Sequence, residues 1–184
     1  MASKEMYQWG AQSSVIRDLF TYGREQAAKI GDENVFDFSI GNPTVPAPEC
    51  IKDAVTEIME TRTAVAVHGY TAAAGDPVVR KGLADYMNKT FNAGVEAGNF
   101  YMTCGAAASL TITLKALVES PDDEIVVIAP YFPEYTAFIK NSGAEKVVVP
   151  PDMESFQIPF DALEQAITSK TRALIINSPN NPSG

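Results

Sequence analysis

Thiols and imidazoles are scarce in this chain. Cys50 and Cys104 are its two cysteines and His68 its one histidine. The cysteines lie far apart and form no Cys-x-x-Cys pair, which fits reduced thiols. One histidine excludes a His-rich metal centre. Basic residues are also few: 14 Lys and Arg against 23 Asp and Glu leave a net charge of −9. A nucleic-acid surface needs a basic stripe, so that class is excluded. No apolar run approaches the length of a membrane span, and Met1-Ala2-Ser3-Lys4-Glu5 has no apolar signal core, so no membrane partner and a cytoplasmic location are expected. There is no internal repeat, no low-complexity tract and no Gly/Ser linker; Pro150–Ser155 is the nearest thing to a long loop.

What is present is an ordinary globular composition, 46% hydrophobic and 20% charged, in a chain of 184 residues, long enough for one good core. Ser14–Ile30 carries helical spacing that stops at Gly31. Pro46, Pro48 and Cys50 lead into a helix over 51–60 with Ile51, Ala54, Val55 and Ile58 on one face. A helix is predicted from Asp76 to Phe91, with Pro77 in its first turn and Val78, Val79, Leu83 and Tyr86 inward. Tyr101–Thr103 reads as a short strand, followed by Gly105 and a helix to Val118. Beyond it strand and helix alternate: strand 124–129, helix 133–141 ending at Gly143, strand 146–149, helix 160–167 after Pro159, strand 172–177. That alternation gives βαβ units, hence an α/β fold with a mainly parallel sheet, helices on both faces and right-handed crossovers.

The last strand runs into Asn177-Ser178-Pro179-Asn180-Asn181-Pro182-Ser183-Gly184, a turn at a carboxyl strand end, where open α/β sheets bind ligands. It resembles the Asn-Pro-Thr/Ser-Gly turn of the class I/II aminotransferases, pyridoxal-phosphate enzymes of fold type I. Four further segments resemble that family in its order: Phe38–Pro43, His68–Arg80, Thr103–Leu110 and Ala129–Tyr135. Together they span most of this chain but only the amino-terminal half of the family's usual length. The resemblance implies an amino-terminal arm, first helix and substrate loop over 1–48, part of a smaller domain. It implies the amino-terminal part of the cofactor-binding large domain over 49–184.

Pyridoxal 5'-phosphate is an electron sink, and its protein must bind the phosphate, hold the ring, tune the pyridine nitrogen and supply a lysine. Gly105, Ala106 and Ala107 form a Gly-small-small turn from strand to helix, with free backbone amides at the helix start. By itself this reads as a packed junction or an anion site; with the resemblance, phosphate binding is implied. Ser109 adds a hydroxyl or caps the helix. Phe132 matches the family's aromatic that stacks on the cofactor ring, a place usually held by Trp or Tyr. Asn181 matches the asparagine that donates to the cofactor's phenolic oxygen, favouring its ionised form, and Asn181–Pro182 is a candidate cis bond. Asn180 beside it reads as a plain turn asparagine. Tyr70 matches the tyrosine that reaches the phosphate of a neighbouring subunit, which implies a homodimer with shared active sites. Gly41 matches a backbone contact near the substrate carboxylate, with Asn42 held extended by Pro43. His68 reads as a partly buried, satisfied imidazole, Arg80 as structural, and Lys115 and Lys140 as solvated.

None of the nine lysines stands in the context of the family's Schiff-base lysine. Its acidic partner for the pyridine nitrogen and its substrate-carboxylate arginine are likewise expected beyond Asn181. The chain is therefore expected to be the amino-terminal portion of an aminotransferase acting on an α-amino acid and a 2-oxo acid, inactive by itself. A pyridoxal-phosphate lyase of the same fold and a non-catalytic cofactor-binding or dimerisation module are the alternatives. A dinucleotide-binding domain is disfavoured because no Gly-x-Gly-x-x-Gly follows the first strand.

Overall fold

The computed structural model describes residues 3–11, 15–41, 43 and 45–184. Contacts divide the chain into two compact units, Met1–Gly69 and Tyr70–Gly184. That division of contacts falls at 69/70.

The first unit holds α1 (Lys4–Ala11), α2 (Val15–Ile30), α3 (Glu49–Thr61) and α4 (Ala64–His68). Helix α2 stops where expected, because Gly31 takes φ 91°. Ser14 and Asn42 lie outside the described residues. The apolar face of α3 forms as read, but Ile51, Val55 and Ile58 are all exposed. Helical periodicity says which residues share a face, not what stands opposite it. His68 ends α4 and is exposed, not partly buried as expected.

The second unit begins with α5 (Pro77–Phe91). Asp76 caps it by accepting from the Val78 and Val79 N–H groups at 2.7 and 3.3 Å, and Pro77 sits where no helical donor is needed. Val78, Val79 and Tyr86 are exposed rather than inward; Ala84 is the buried residue and Leu83 is half-buried. Arg80 is structural as read, since its Nε and Nη2 both donate to the Ala97 carbonyl at 3.0 and 2.8 Å. Tyr101–Thr103 is not a strand. Among the described residues its backbone tie is Met102 N–H to Ala74 O at 3.0 Å, and an extended segment without a paired neighbour has no ladder to make it a strand.

Three strands, β1 (Glu124–Ile128), β2 (Glu145–Val149) and β3 (Thr171–Ile175), form an all-parallel sheet in the order β2-β1-β3. Strand β1 is central, and its Ile125, Val126 and Val127 are completely buried. Each contributes roughly 1.5–3 kcal/mol by leaving water. Their alternation feeds two cores. On one face Ile125 and Val127 pack with Leu114 of α6 (Ala106–Leu117) and with Tyr135 and Ile139 of α7 (Tyr135–Ser142). On the other, Val126 packs with Val149 and with Leu163 of α8 (Phe160–Ala166). This is the expected α/β layering, with helices on both faces. Lys115 is exposed, as expected, and its Nζ also donates to the Ser142 carbonyl at 3.1 Å. It thereby closes the carboxyl end of α7, where Gly143 adopts φ 96°. Among the described residues no helix is long and apolar enough to cross a membrane.

The amino ends of β1 and β3 are locked by charge. The β1–β3 register slips between Glu124↔Thr171 and Ile125↔Ala173, leaving Arg172 as an extra residue. Such a bulge re-aims its side chain, and Arg172 Nε meets Asp123 Oδ1 at 2.9 Å. The other oxygen of buried Asp123 accepts from the Glu119 and Ser120 N–H groups at 2.7 and 2.9 Å. Those backbone bonds, the Glu119 one foremost, and Arg172 hold the carboxyl below the usual aspartate range. A depressed carboxylate stabilises the fold above its unfolded-state pKa, about 3.9. That contribution fades as pH falls through the lower folded-state value. The Asp123→Asn variant should therefore melt below the wild type at neutral pH, with the gap closing under acid. Thermal scans from pH 7 down to pH ~3 check this, and a pH-independent gap would disprove it.

Candidate active site

The opposite, carboxyl end of the sheet carries the loops expected to hold a ligand. Gly105 precedes α6 with φ 89° and ψ 170°, a conformation open essentially to glycine. The N–H groups of Ala106, Ala107 and Ala108 open the helix with no acceptor among the described residues. A Cβ on Gly105 would meet nothing within 4 Å, so the space beside the turn is open. Converging unpaired amides at a helix start with room beside them suit a phosphate. Thr103 fastens the turn: its Oγ1 donates to the Gly105 carbonyl at 3.0 Å and stands 2.5 Å from Ser109 Oγ. Ser109 Oγ also lies 3.5 Å from the Gly105 carbonyl, so both hydroxyls gather at the turn.

After β1 the chain turns through Ala129-Pro130, a cis peptide bond, into Tyr131 and Phe132 and then α7. Phe132 is half-buried. It packs on the α6–β1–α7 core and meets the Tyr135 ring edge-on, with centroids 5.7 Å apart at 81°. Because Leu110 and Leu114 of α6 join the same core, the Gly105 turn and Phe132 share one support.

Strand β3 stops at Ile175, two residues earlier than expected, and the chain continues into the Asn-Pro turn. The candidate Asn181–Pro182 bond is cis, as is Ser178–Pro179. The turn is tied across the sheet end by Asn180, whose Nδ2 donates to the Pro130 carbonyl at 2.9 Å and to Ser183 Oγ at 2.7 Å. Asn181 is left exposed, and its amide has no hydrogen-bond partner among the described residues. Asn180 was read as a plain turn residue, and no local signal marks its role: its acceptor is 50 residues away.

Between these loops lies a cavity of about 260 Å³, walled in part by Pro130, Tyr131, Ile176, Asn177 and Asn180. Gly105, Phe132 and Asn181 do not line it; the chain neighbours of Phe132 and Asn181 do. Phe156 and Gln157 complete one wall. Asp152 holds them by accepting the Glu154 and Ser155 N–H groups at 2.9 and 3.2 Å, and Phe156 takes φ 55°.

A family model for aminotransferase class I and II matches residues 33–184. The chain belongs to that aminotransferase family. A crystal structure of an amino transferase from Eubacterium rectale is similar at 51% identity and TM-score 0.96, over all of this chain and 46% of that one. The aspartate aminotransferase of Pyrococcus horikoshii is 32% identical over 172 residues, 93% of this chain and 41% of that protein. The asparagine–oxo-acid transaminase of Streptococcus mutans is 30% identical over 168 residues, 90% of this chain and 42% of its own length. The chain thus spans less than half the length of these aminotransferases.

Two further expected site residues are Tyr70 and Gly41. Tyr70 opens the second unit with its side chain wholly exposed. Gly41 belongs to the first unit, with nothing within 4 Å of where a Cβ would stand. Among the described residues no group of three metal-ligating side chains occurs.

Proposed function

We propose that the protein carrying this chain is a pyridoxal-phosphate-dependent aminotransferase. It moves an amino group between an α-amino acid, with aspartate first among the candidates, and a 2-oxo acid such as 2-oxoglutarate. The observation that carries this reading is the Gly105 turn, open at its side and crowned by three unpaired amides. Ala106 and Ala107 add no bulk there, so a phosphate is met by backbone donors and by the positive end of the α6 dipole. Bound pyridoxal phosphate supplies the electron sink for removing and adding an amino group. Phe132 offers its ring as a flat apolar wall, and Asn181 presents a donor amide that favours an ionised oxygen on the ligand. Gly41 offers its backbone to the substrate carboxylate, within a substrate arm over 1–48 that serves a large domain over 49–184.

Tyr70, wholly exposed, reaches the phosphate of a second subunit, so the working enzyme is a homodimer with shared active sites. Its location is the cytoplasm, in keeping with two free, exposed cysteines. These 184 residues are expected not to transaminate by themselves, because none of their nine lysines stands in the context of the family's Schiff-base lysine.

The test is a spectrophotometric titration of the natural full-length protein with pyridoxal phosphate, then assay of glutamate from aspartate and 2-oxoglutarate. Saturable cofactor binding and glutamate formation are expected, with no glutamate from the 184-residue chain alone. Asn181→Ala should weaken catalysis by roughly tenfold or more, the scale of one hydrogen bond to a charged group. Absence of cofactor binding to the full-length protein would defeat the reading.

A further inference from the structure

Tyr131 stands where the candidate site meets the sheet. It follows Pro130, precedes Phe132 and lines the cavity at the carboxyl ends of β1 and β3. Its phenol oxygen accepts a 2.7 Å hydrogen bond from Lys146 Nζ. The same ammonium donates at 2.8 Å to Thr136 Oγ1, in the first turn of α7. Lys146 is the second residue of β2 and pairs in register with fully buried Ile125, so this donor comes from the rigid sheet.

The ammonium lies 5.1 Å from the Tyr131 ring centroid, nearly twice its distance from the phenol oxygen. It therefore stands beyond the rim of the ring, as a hydrogen-bond donor and not as a cation over the π face. Tyr131 lies almost parallel to Tyr135, with centroids 6.4 Å apart at 11°, while Phe132 meets the same Tyr135 edge-on. A lysine normally keeps its head in water. Here it is turned onto two neutral hydroxyls, one on each side of Phe132 in sequence.

We propose that Lys146 is a positioning residue of the cofactor site. By clamping the Tyr131 and Thr136 hydroxyls together it holds the strap 130–136, and Phe132 within it, in place for the pyridoxal phosphate ring. The inference rests on the aminotransferase reading. Burial pushes the Tyr131 phenol up, but hydrogen bonding from Lys146 and Thr136 and the ammonium charge outweigh it, so the phenol ionises below the usual tyrosine range. Its titration thus reports on the clamp without any cofactor.

The experiment compares wild type, Lys146→Met, Lys146→Gln and Lys146→Arg in the full-length protein by two measurements. One is the dissociation constant for pyridoxal phosphate. The other is the ultraviolet titration of tyrosine in cofactor-free protein, with the Tyr131 component assigned by Tyr131→Phe. Lys146→Met and Lys146→Gln should each weaken cofactor binding by about tenfold, the scale of one charge-assisted hydrogen bond. In Lys146→Met the Tyr131 component should move to higher pH, while Lys146→Arg, which keeps the cation, should recover most of both. Wild-type affinity in Lys146→Met and Lys146→Gln would overturn the role of Lys146 and leave the aminotransferase reading intact. No binding by the wild type would overturn that reading and the proposal with it. An unmoved Tyr131 titration would overturn the clamp itself.

Discussion

Gly105→Val should destabilise the protein by about 1–3 kcal/mol and abolish measurable binding of pyridoxal phosphate. The strain is in the backbone. At φ 89° and ψ 170° a side chain of any size is disfavoured, and a β-branched one most of all. Clash does not enter, since a Cβ would meet nothing within 4 Å. Valine therefore relieves its strain by rotating the peptide, which withdraws the Gly105 carbonyl from Thr103 Oγ1, now 3.0 Å away. The Ala106–Ala108 amides turn with it, and the proposed phosphate cradle, made of backbone, has no side chain to replace them. Chemical denaturation measures the first effect and cofactor titration the second. A variant that loses stability but binds the cofactor like wild type would place the phosphate elsewhere.

Ile139→Ala should cost more, about 2–5 kcal/mol. Ile139 is completely buried and stands in one core with Leu114, Ile125, Val127 and Tyr135. Truncation removes apolar area from water-free contact and leaves a cavity between α6, α7 and β1 that packed neighbours fill only partly. The same core supports Phe132 and Leu110, so cofactor affinity should fall along with stability. Val148→Ala is the comparison: Val148 lies on β2 but is 43% exposed, and its loss should stay near the small values of surface positions. Denaturation midpoints of the two variants decide the matter, and similar losses at both positions would contradict this account of the core.

Several turns and helix ends are legible in the sequence because their signals are local. Asp76 before Pro77, Gly105 before three alanines and Gly143 after a helical stretch each state a backbone requirement within a few residues. The structure answers them with a cap at the residue expected to begin the helix, a glycine-only turn and a left-handed stop. The inward faces were less legible. The periodicity that placed α3 and α5 also marked their apolar sides, yet Val55 and Val78 are exposed, because a stripe carries no record of its partner. Tyr101–Thr103 had strand-like residues but no neighbour to pair with. The Lys115 bond to the Ser142 carbonyl has no local mark, because its acceptor lies 27 residues away.

Sequence by itself determined the α/β class, the order of the elements, the family, and the turns at Gly105 and Asn181. These follow from hydrophobic period, from backbone φ/ψ requirements, and from motifs whose residues are chain neighbours. Tertiary structure alone decided that Arg172 bulges to meet Asp123, that Asn180 ties the last turn to Pro130, and that Lys146 grips Tyr131 and Thr136. Each of these joins side chains to groups on other elements. Such partners are chosen by strand register and by helix packing on the sheet, and neither is written in any window of the chain.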